Sequence, residues 1–517
     1  MATSQPLASQ VGISILQNDG NAIDAAIATA AALNVVEPMS TGIGGDAFAL
    51  VYIHNCNELM ALNASGRAPY AASLEVIQNL GYSKMPEMGI HSVTVPGALD
   101  GWCSLLERYG TMTLAQVLAP AIELAEHGFP VTEIIGHTWD MSSAKLQSNP
   151  SAAKTYLMNG RVPKPGETFV QPDLAKTFKK IAQGGRDVFY QGAIAEAIVA
   201  CSQQNGGLIT MQDLNAHTST WALPISTNYR GYDIFECPPN CQGLVTLLAL
   251  NILENYDLQS LEHNTPEYLH ILIEALKLAF ADANKYIADP DFVDIPLVKL
   301  LSKSYAKQKK DLINMNKAML EVETGITDID SDTVYLAVTD KCGNSISFIN
   351  SLYHSFGSGI IVDDTGICLQ NRGSIFSLEI DHPNCIMPHK RPYQTIMPAV
   401  VFKDGSLFLT FGVMGGFMQP QGQIQVLLNI IDFGMNVQMA LDSPRFIYIK
   451  DNECALEPAI PRNILHNLSK KGHAIVDIAT PYSQEFGGGQ AIMAHSSTGT
   501  LIAGSDSRKD GCASGVW

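Results

Sequence analysis

The chain has 517 residues, 46% of them apolar and only 16% charged, against about 25% charged in a usual soluble protein, so it can bury a large core; at about 150 residues each, roughly three domains would fit. Its net charge of −18 repels phosphate backbones and anionic lipid heads, which argues against a nucleic-acid partner. The most apolar early run, 25–36, is shorter than the roughly 20 residues of a membrane span and lies between Asp24 and Glu37, so it reads as a buried helix and no membrane partner is expected.

In chain order, the opening Met1-Ala2-Thr3-Ser4-Gln5 carries no basic segment followed by an apolar one. A cytoplasmic protein is the expectation for the sequence as it stands, with export open to a longer native N-terminus. Asn21 caps a helix over 22–35 whose third residue is Asp24, and Pro38 ends it. Thr41-Gly42-Ile43-Gly44-Gly45-Asp46 then turns the chain into a strand over 47–53. That glycine run lacks the Gly-Lys-Ser/Thr ending of a phosphate loop and precedes a strand, which argues against a nucleotide site.

Helices are expected over 96–109, 114–127, 174–183, 193–205, 243–255 and 266–287, with strands and turns between them, as in 229–236. From 312 to 332 the sequence becomes polar and turn-rich and reads as a mobile linker. Strands 333–339 and 345–351 follow as a hairpin about Lys341-Cys342-Gly343-Asn344, then strands 399–403 and 407–413 and helices 422–433 and 437–442. The ten cysteines are scattered, and only Cys237 and Cys241 lie close, with no second Cys or His pair at ligand spacing. Reduced core or turn thiols are expected, and neither a metal nor another cofactor. The thirteen histidines form no His-x-x-x-His pair and none is assigned to catalysis.

Thr333 opens a strand directly after the acidic segment that ends at Asp332. A threonine at a freshly cut amino terminus is a complete catalytic unit, because its own α-amine can take the hydroxyl proton as the oxygen attacks. Strand propensity alone would also place a threonine there. In Gly412-Val413-Met414-Gly415-Gly416 a strand runs into paired glycines ahead of a helix. Such a pair can turn backbone N–H groups toward an oxyanion, or can serve only as a tight turn.

Ordered matches extend over nearly the whole length. They include Pro6-Leu7-Ala8-Ser9, Gly20-Asn21-Ala22-Ile23-Asp24-Ala25-Ala26, Val36-Glu37-Pro38, Gly42-Ile43-Gly44-Gly45, Val95-Pro96-Gly97, Gly128-Phe129-Pro130-Val131 and Glu274-Ala275. Later come Thr333, Gly343-Asn344, Phe356-Gly357-Ser358-Gly359, Lys390-Arg391-Pro392, Gly415-Gly416, Pro444-Arg445 and Asp506-Ser507-Arg508. In these the chain resembles the gamma-glutamyltranspeptidase family of N-terminal-nucleophile hydrolases.

The resemblance implies an α+β fold, a four-layer αββα sandwich, made by a large subunit 1–332 and a small subunit 333–517 cut from one precursor between Asp332 and Thr333. The subunits stay associated, and a dimer of such pairs stays open. Thr333 becomes nucleophile and base, Ser351 steadies it where the family usually has threonine, and Gly415 and Gly416 supply the oxyanion donors. For the substrate, the resemblance points to Arg67, Arg372, Gln394 and Thr395.

Two departures bear on the substrate. Arg67 stands two places from the family's carboxylate-binding arginine, and Asn371-Arg372-Gly373-Ser374-Ile375 replaces a segment whose acid holds the α-amine. The segment 377–389 is also shorter than the family's lid, which favours hydrolysis over transfer. The first expectation is hydrolysis of γ-glutamyl amides such as glutathione. The alternatives are a small carboxylate-bearing amide of glutaryl or oxamate type, and an unprocessed binding protein without catalysis.

Overall fold

The computed structural model describes residues 1–325, 332–477, 481–495 and 498–516. Its centre is two stacked antiparallel sheets. In chain segments, the order across the seven-stranded sheet is Cys512–Ala513, Ala2–Thr3, Asp332–Thr339, Ser345–Tyr353, Asp46–Ile53, Glu58–Ala64, Thr220–Ala222. The six-stranded sheet runs Leu501–Ser505, Gly488–Ala494, Ser406–Met414, Ala399–Lys403, Tyr232–Glu236, Ile225–Tyr229.

Alternation along each strand explains the stacking, because successive side chains leave opposite faces of a sheet. From the strand Asp46–Ile53, Ala47, Ala49 and Val51 join the helical core on one side, whereas Phe48, Leu50 and Tyr52 pack between the sheets. Asp332–Thr339 divides the same way, with Val334, Leu336 and Val338 outward and Tyr335 and Ala337 inward. In the second sheet Val400 and Met414 face the first sheet, while Val401, Leu409, Phe411 and Val413 face the opposite helices. The expected four-layer αββα sandwich is therefore the observed architecture.

One outer layer is built around the alanine-rich helix Ala22–Val36, all of whose residues are buried. Its small side chains let it lie close on the strands Asp332–Thr339 and Ser345–Tyr353. Asn21 and Asp24 cap it reciprocally, at 3.0 and 2.9 Å, an arrangement worth about 1 kcal/mol. The Asp24 carboxylate also takes the amides of Thr111 and Met112, tying the helix to the next connection. The other layer contains Gly243–Leu253, Pro266–Tyr286 and Met418–Ile431, packed on the second sheet.

Most expected elements are present with small changes of boundary. The helix expected over 174–183 runs from Pro172 to Tyr190, broken at Gly185, whose φ of 66° only glycine adopts without strain. The linker is the larger correction. Its described part, 312–325, is pinned to the body: Ala318 N donates to Lys471 O at 2.7 Å, Met319 N to Glu274 Oε2 at 2.9 Å, and the Tyr448 hydroxyl to Thr324 Oγ1 at 3.4 Å. Most of its polar side chains stay exposed, so the segment is held at a few points and faces water elsewhere. The acidic stretch 326–331 lies outside the described residues.

Candidate active site

Thr333 follows the alternation of its strand: with Val334 outward, its side chain faces the space between the sheets, beside Ser351 of the neighbouring strand. The two hydroxyl oxygens are 3.0 Å apart. Both approach the carbonyl oxygen of Asp332, Thr333 Oγ1 at 2.7 Å and Ser351 Oγ at 3.0 Å. A bulge shifts the strand register between Asn350 and Tyr353. It leaves Tyr353 at φ 81°, with its N–H donating to Ser351 Oγ at 2.8 Å. Arg372 Nη2 donates to the same oxygen at 3.3 Å. With these donors on its lone pairs, the single Ser351 proton is directed at the Asp332 carbonyl or at Thr333. The 332–333 peptide thus has a hydroxyl against its carbonyl and a second hydroxyl to polarise it.

The second sheet supplies the facing wall. Its strand Ser406–Met414 ends at the cavity that Thr333 enters, about 360 Å³ in volume, where Met414 and Gly415 are both lining residues. Gly415 has φ 118°, and a Cβ there would stand 3.2 Å from Gly487 Cα, so only glycine fits without strain. Gly416, at φ 54°, lies just behind, its carbonyl accepting from Gln242 Nε2 at 2.9 Å. Among the described residues no hydrogen bond occupies the N–H of Gly415 or Gly416. That leaves the Gly415 N–H, at the cavity wall with Thr333, and the Gly416 N–H, one residue further on, as unoccupied backbone donors, the chemistry an oxyanion needs.

The four residues expected to bind substrate lie elsewhere. Arg67 is 8% exposed and Arg372, Gln394 and Thr395 are fully buried, and none lines the Thr333 cavity. Arg372 donates to Thr395 Oγ1 at 2.6 Å and lies against the Tyr353 ring, 4.3 Å from its centre. Gln394 donates to Asp46 Oδ2 at 2.6 Å, and Arg67 to the Thr218 carbonyl at 3.3 Å. Burial pushes Arg372 down to about 10. Burial likewise raises Asp46 to about 6, against the opposing pull of Arg372 and the hydrogen bonds from Gly66, Gln370 and Gln394. Arg372, Thr395, Gln394 and Asp46 form a buried polar support beside Ser351, and the Tyr353 ring covers the Arg372 guanidinium. Among the described residues Arg372 makes no ion pair with Glu379 or Asp381.

Sequence reasoning missed two parts of the cavity. Lys509, also a lining residue, places its Nζ 3.6 Å from Asp332 Oδ1. Burial pulls this ammonium down, but Asp332 and Glu37 outweigh it and hold Lys509 above the ordinary lysine range. Lys145, Met88 and Met141 complete another stretch of wall. The one available signal was that Lys509 directly follows the Asp506-Ser507-Arg508 motif. Its approach to residue 332 is a product of the fold.

A second cavity of about 700 Å³ shares Glu87 and His354 with the first and is lined also by Tyr353, Ser374, Ile375 and Phe376. Elsewhere, His270, Glu274 and His473 bring ligand-type atoms within 4.8 Å of one another. There the two rings share a 2.8 Å hydrogen bond and Lys277 pairs with Glu274 at 2.8 Å. Among the described residues His473 Nδ1 has no hydrogen-bond partner, and the lysine charge beside Glu274 opposes a cation.

The family model "Gamma-glutamyltranspeptidase" matches residues 8–516. The chain is 42% identical over 516 residues to the glutathione hydrolase-like YwrD proenzyme of Bacillus subtilis (strain 168), covering 99% of this chain and 97% of that protein. It is 33% identical over 544 residues to the glutathione hydrolase proenzyme of the same organism, covering 100% and 91%. Among solved structures, cephalosporin acylase from Bacillus halodurans superposes with a TM-score of 0.93 at 42% identity, covering 99% of this chain and 94% of that one. These matches span the whole sandwich and both walls of the cavity. The chain therefore belongs to the gamma-glutamyltranspeptidase family of enzymes.

Proposed function

We propose that the chain is a self-processing amidohydrolase that cuts between Asp332 and Thr333 and then hydrolyses γ-glutamyl amides such as glutathione through an ester on Thr333. The observation that carries this reading is the contact of Thr333 Oγ1 with the Asp332 carbonyl, shared with Ser351, on the wall of a cavity that also holds Gly415. Self-cleavage turns the amide nitrogen of Thr333 into an α-amine, which serves as base for its own hydroxyl. Gly415 and Gly416 stabilise the oxyanion, and Ser351 holds the nucleophile. Segments 1–332 and 333–517 stay together because each contributes strands to both sheets. Similarity to a glutathione hydrolase and a glutathione hydrolase-like protein, both named as proenzymes, supports the substrate class and the cut.

A second reading keeps the mechanism and changes the acyl group to a small one that carries a carboxylate without an α-amine. It is favoured by residues 371–375, where Arg372 is buried and Ser374 and Ile375 face the second cavity in place of the family's acid. Likeness to a cephalosporin acylase points the same way. Both readings require Thr333→Ala to remain one uncut chain without amidase activity; two fragments and parental turnover in that variant overturn them. Initial rates with glutathione and with a glutaryl amide decide between them.

A further inference from the structure

During self-cleavage the Thr333 Oγ–C bond to residue 332 forms, the 332–333 C–N bond breaks, and the hydroxyl proton ends on the departing nitrogen. Water then opens the ester, leaving a carboxylate at 332 and a free hydroxyl and amine at 333. That ester is chemically the same species as the acyl-enzyme of the later reaction: an acyl group on the same oxygen, in the same cavity. The chain's own first acyl group is an aspartyl, with a carboxylate two carbons from the acyl carbon.

The structure shows what receives this carboxylate. Asp332 Oδ1 takes the Thr333 N–H at 3.0 Å and lies 3.6 Å from Lys509 Nζ. Among the described residues Asp332 Oδ2 is buried without a hydrogen-bond partner. Among the described residues no other acid forms an ion pair with Lys509: Asp506 pairs with Arg445 and Arg508, Asp510 takes the Thr132 hydroxyl, and Glu37 takes the hydroxyls of Ser4 and Ser40 and acts on the lysine only at longer range. When residue 332 leaves, Lys509 remains as a nearly buried cation, its side chain 10% exposed, in the wall beside the nucleophile. A buried charge that loses its partner is costly, and an incoming carboxylate of matching reach replaces it.

We propose that Lys509 is the carboxylate anchor of the mature enzyme, and that Asp332 occupies its place in the precursor. This rests on the amidohydrolase reading and deepens it: the acyl donor carries a carboxylate two to three carbons from the scissile carbonyl, as in succinyl and glutaryl amides and the carbon skeleton of a γ-glutamyl group. The anchor belongs to the small subunit and is separate from the buried arginines 67 and 372.

The test measures binding of succinate and glutarate, against their uncharged diamides, to the mature protein by calorimetry. The parental protein should bind the acids at least about tenfold more tightly than the diamides. Lys509→Met should abolish that preference and Lys509→Arg should restore most of it. No preference in the parental protein, or the same preference in Lys509→Met, overturns the anchor. Release of nitroaniline from γ-glutamyl and glutaryl nitroanilides is followed in parallel: its absence with both, in a parental protein that still prefers the acids, refutes the amidohydrolase reading and leaves the anchor standing. Should Lys509→Met stay uncut, the comparison moves to uncut chains. Thr333→Ala with Asp332→Gly, which removes the carboxylate and clears its space beside Lys509, should bind succinate at least about tenfold more tightly than Thr333→Ala alone; equal binding overturns the proposal.

Discussion

Ser351→Ala tests whether the second hydroxyl takes part in making the nucleophile. In the uncut chain this hydroxyl is fully buried and has four partners: the Asp332 carbonyl and Thr333 Oγ1 at 3.0 Å, Tyr353 N at 2.8 Å and Arg372 Nη2 at 3.3 Å. Deleting it removes a donor from the carbonyl that becomes an oxyanion, a loss of about 10²–10³ in rate when such a donor is preorganised. It also removes the Ser351 acceptor from the buried Tyr353 N–H, at about 1–3 kcal/mol of stability. A domain of ordinary stability, about 5–15 kcal/mol, survives that loss. The assay is a time course of freshly made chain on a denaturing gel, following the full-length band into its two pieces, with circular dichroism as the check on folding. The half-time of cleavage should lengthen at least about a hundredfold in Ser351→Ala and stay near the parental value in Ser351→Thr, which keeps the hydroxyl. A folded Ser351→Ala chain that matures at the parental rate would refute the argument that this serine polarises the 332 carbonyl.

Gly415→Ala forces a side chain into φ 118° and to 3.2 Å from Gly487 Cα, which turns the donor pair away from the nucleophile. In the mature enzyme kcat should fall about a hundredfold with KM little changed, and an unchanged kcat would assign the oxyanion to other donors. Arg372→Met removes charge-assisted hydrogen bonds to Thr395 and Ser351 and leaves Asp46 with its nearby cation gone. Urea unfolding should show a loss of at least about 3 kcal/mol, and a change under about 1 kcal/mol would mean the arginine is dispensable to the support. His473 is held neutral, pushed down to about 3 by burial, with Lys277, His270 and Lys471 adding repulsion. Because its folded pKa lies below the unfolded value near 6.5, its contribution is whole above pH 6.5 and is lost as pH falls toward 3, at up to about 1.4 kcal/mol per pH unit. Between pH 7 and pH 5 the parental protein should therefore lose about 2 kcal/mol more than His473→Asn, and equal losses in the two would contradict this reading.

How much of this was legible in the sequence follows from how local each signal is. The helix Ala22–Val36 and the hairpin Asp332–Thr339 with Ser345–Tyr353 could be read because capping residues, alternation and a Gly-Asn turn are written within a few positions. Motif order made Thr333, Ser351 and Gly415 legible as one site, and the structure brings them together from two different sheets. That Arg67, Arg372 and Gln394 are buried away from the cavity wall was not legible, because a motif position fixes a place on the backbone but not what covers the side chain. Here Tyr353, at a bulge no pattern announces, lies over the arginine. The described part of the linker was misread for a related reason: an exposed polar stretch pinned by a few backbone amides has the same composition as one that is not pinned at all.

The cut itself can be silent to the fold. The strand Asp332–Thr339 is held on one side by Ser345–Tyr353, in register from Thr339 opposite Ser345 to Val334 opposite Asn350, and on the other by Ala2–Thr3. Breaking the peptide before Thr333 removes only residue 332 from that ladder, at its pairing with Tyr353 beyond the bulge. The core residues Val334, Leu336 and Val338 and the inter-sheet Tyr335 keep their neighbours. Hydrophobic burial, which supplies most of the stability, is therefore unchanged by a reaction that alters the chemistry of the site completely. In the proposed cut an amide nitrogen becomes an amine, one acyl group leaves the cavity, and Lys509 loses the Asp332 carboxylate. A rigid frame that keeps its packing while exchanging one acyl group for another is the physical condition for a protein whose own backbone is its first substrate.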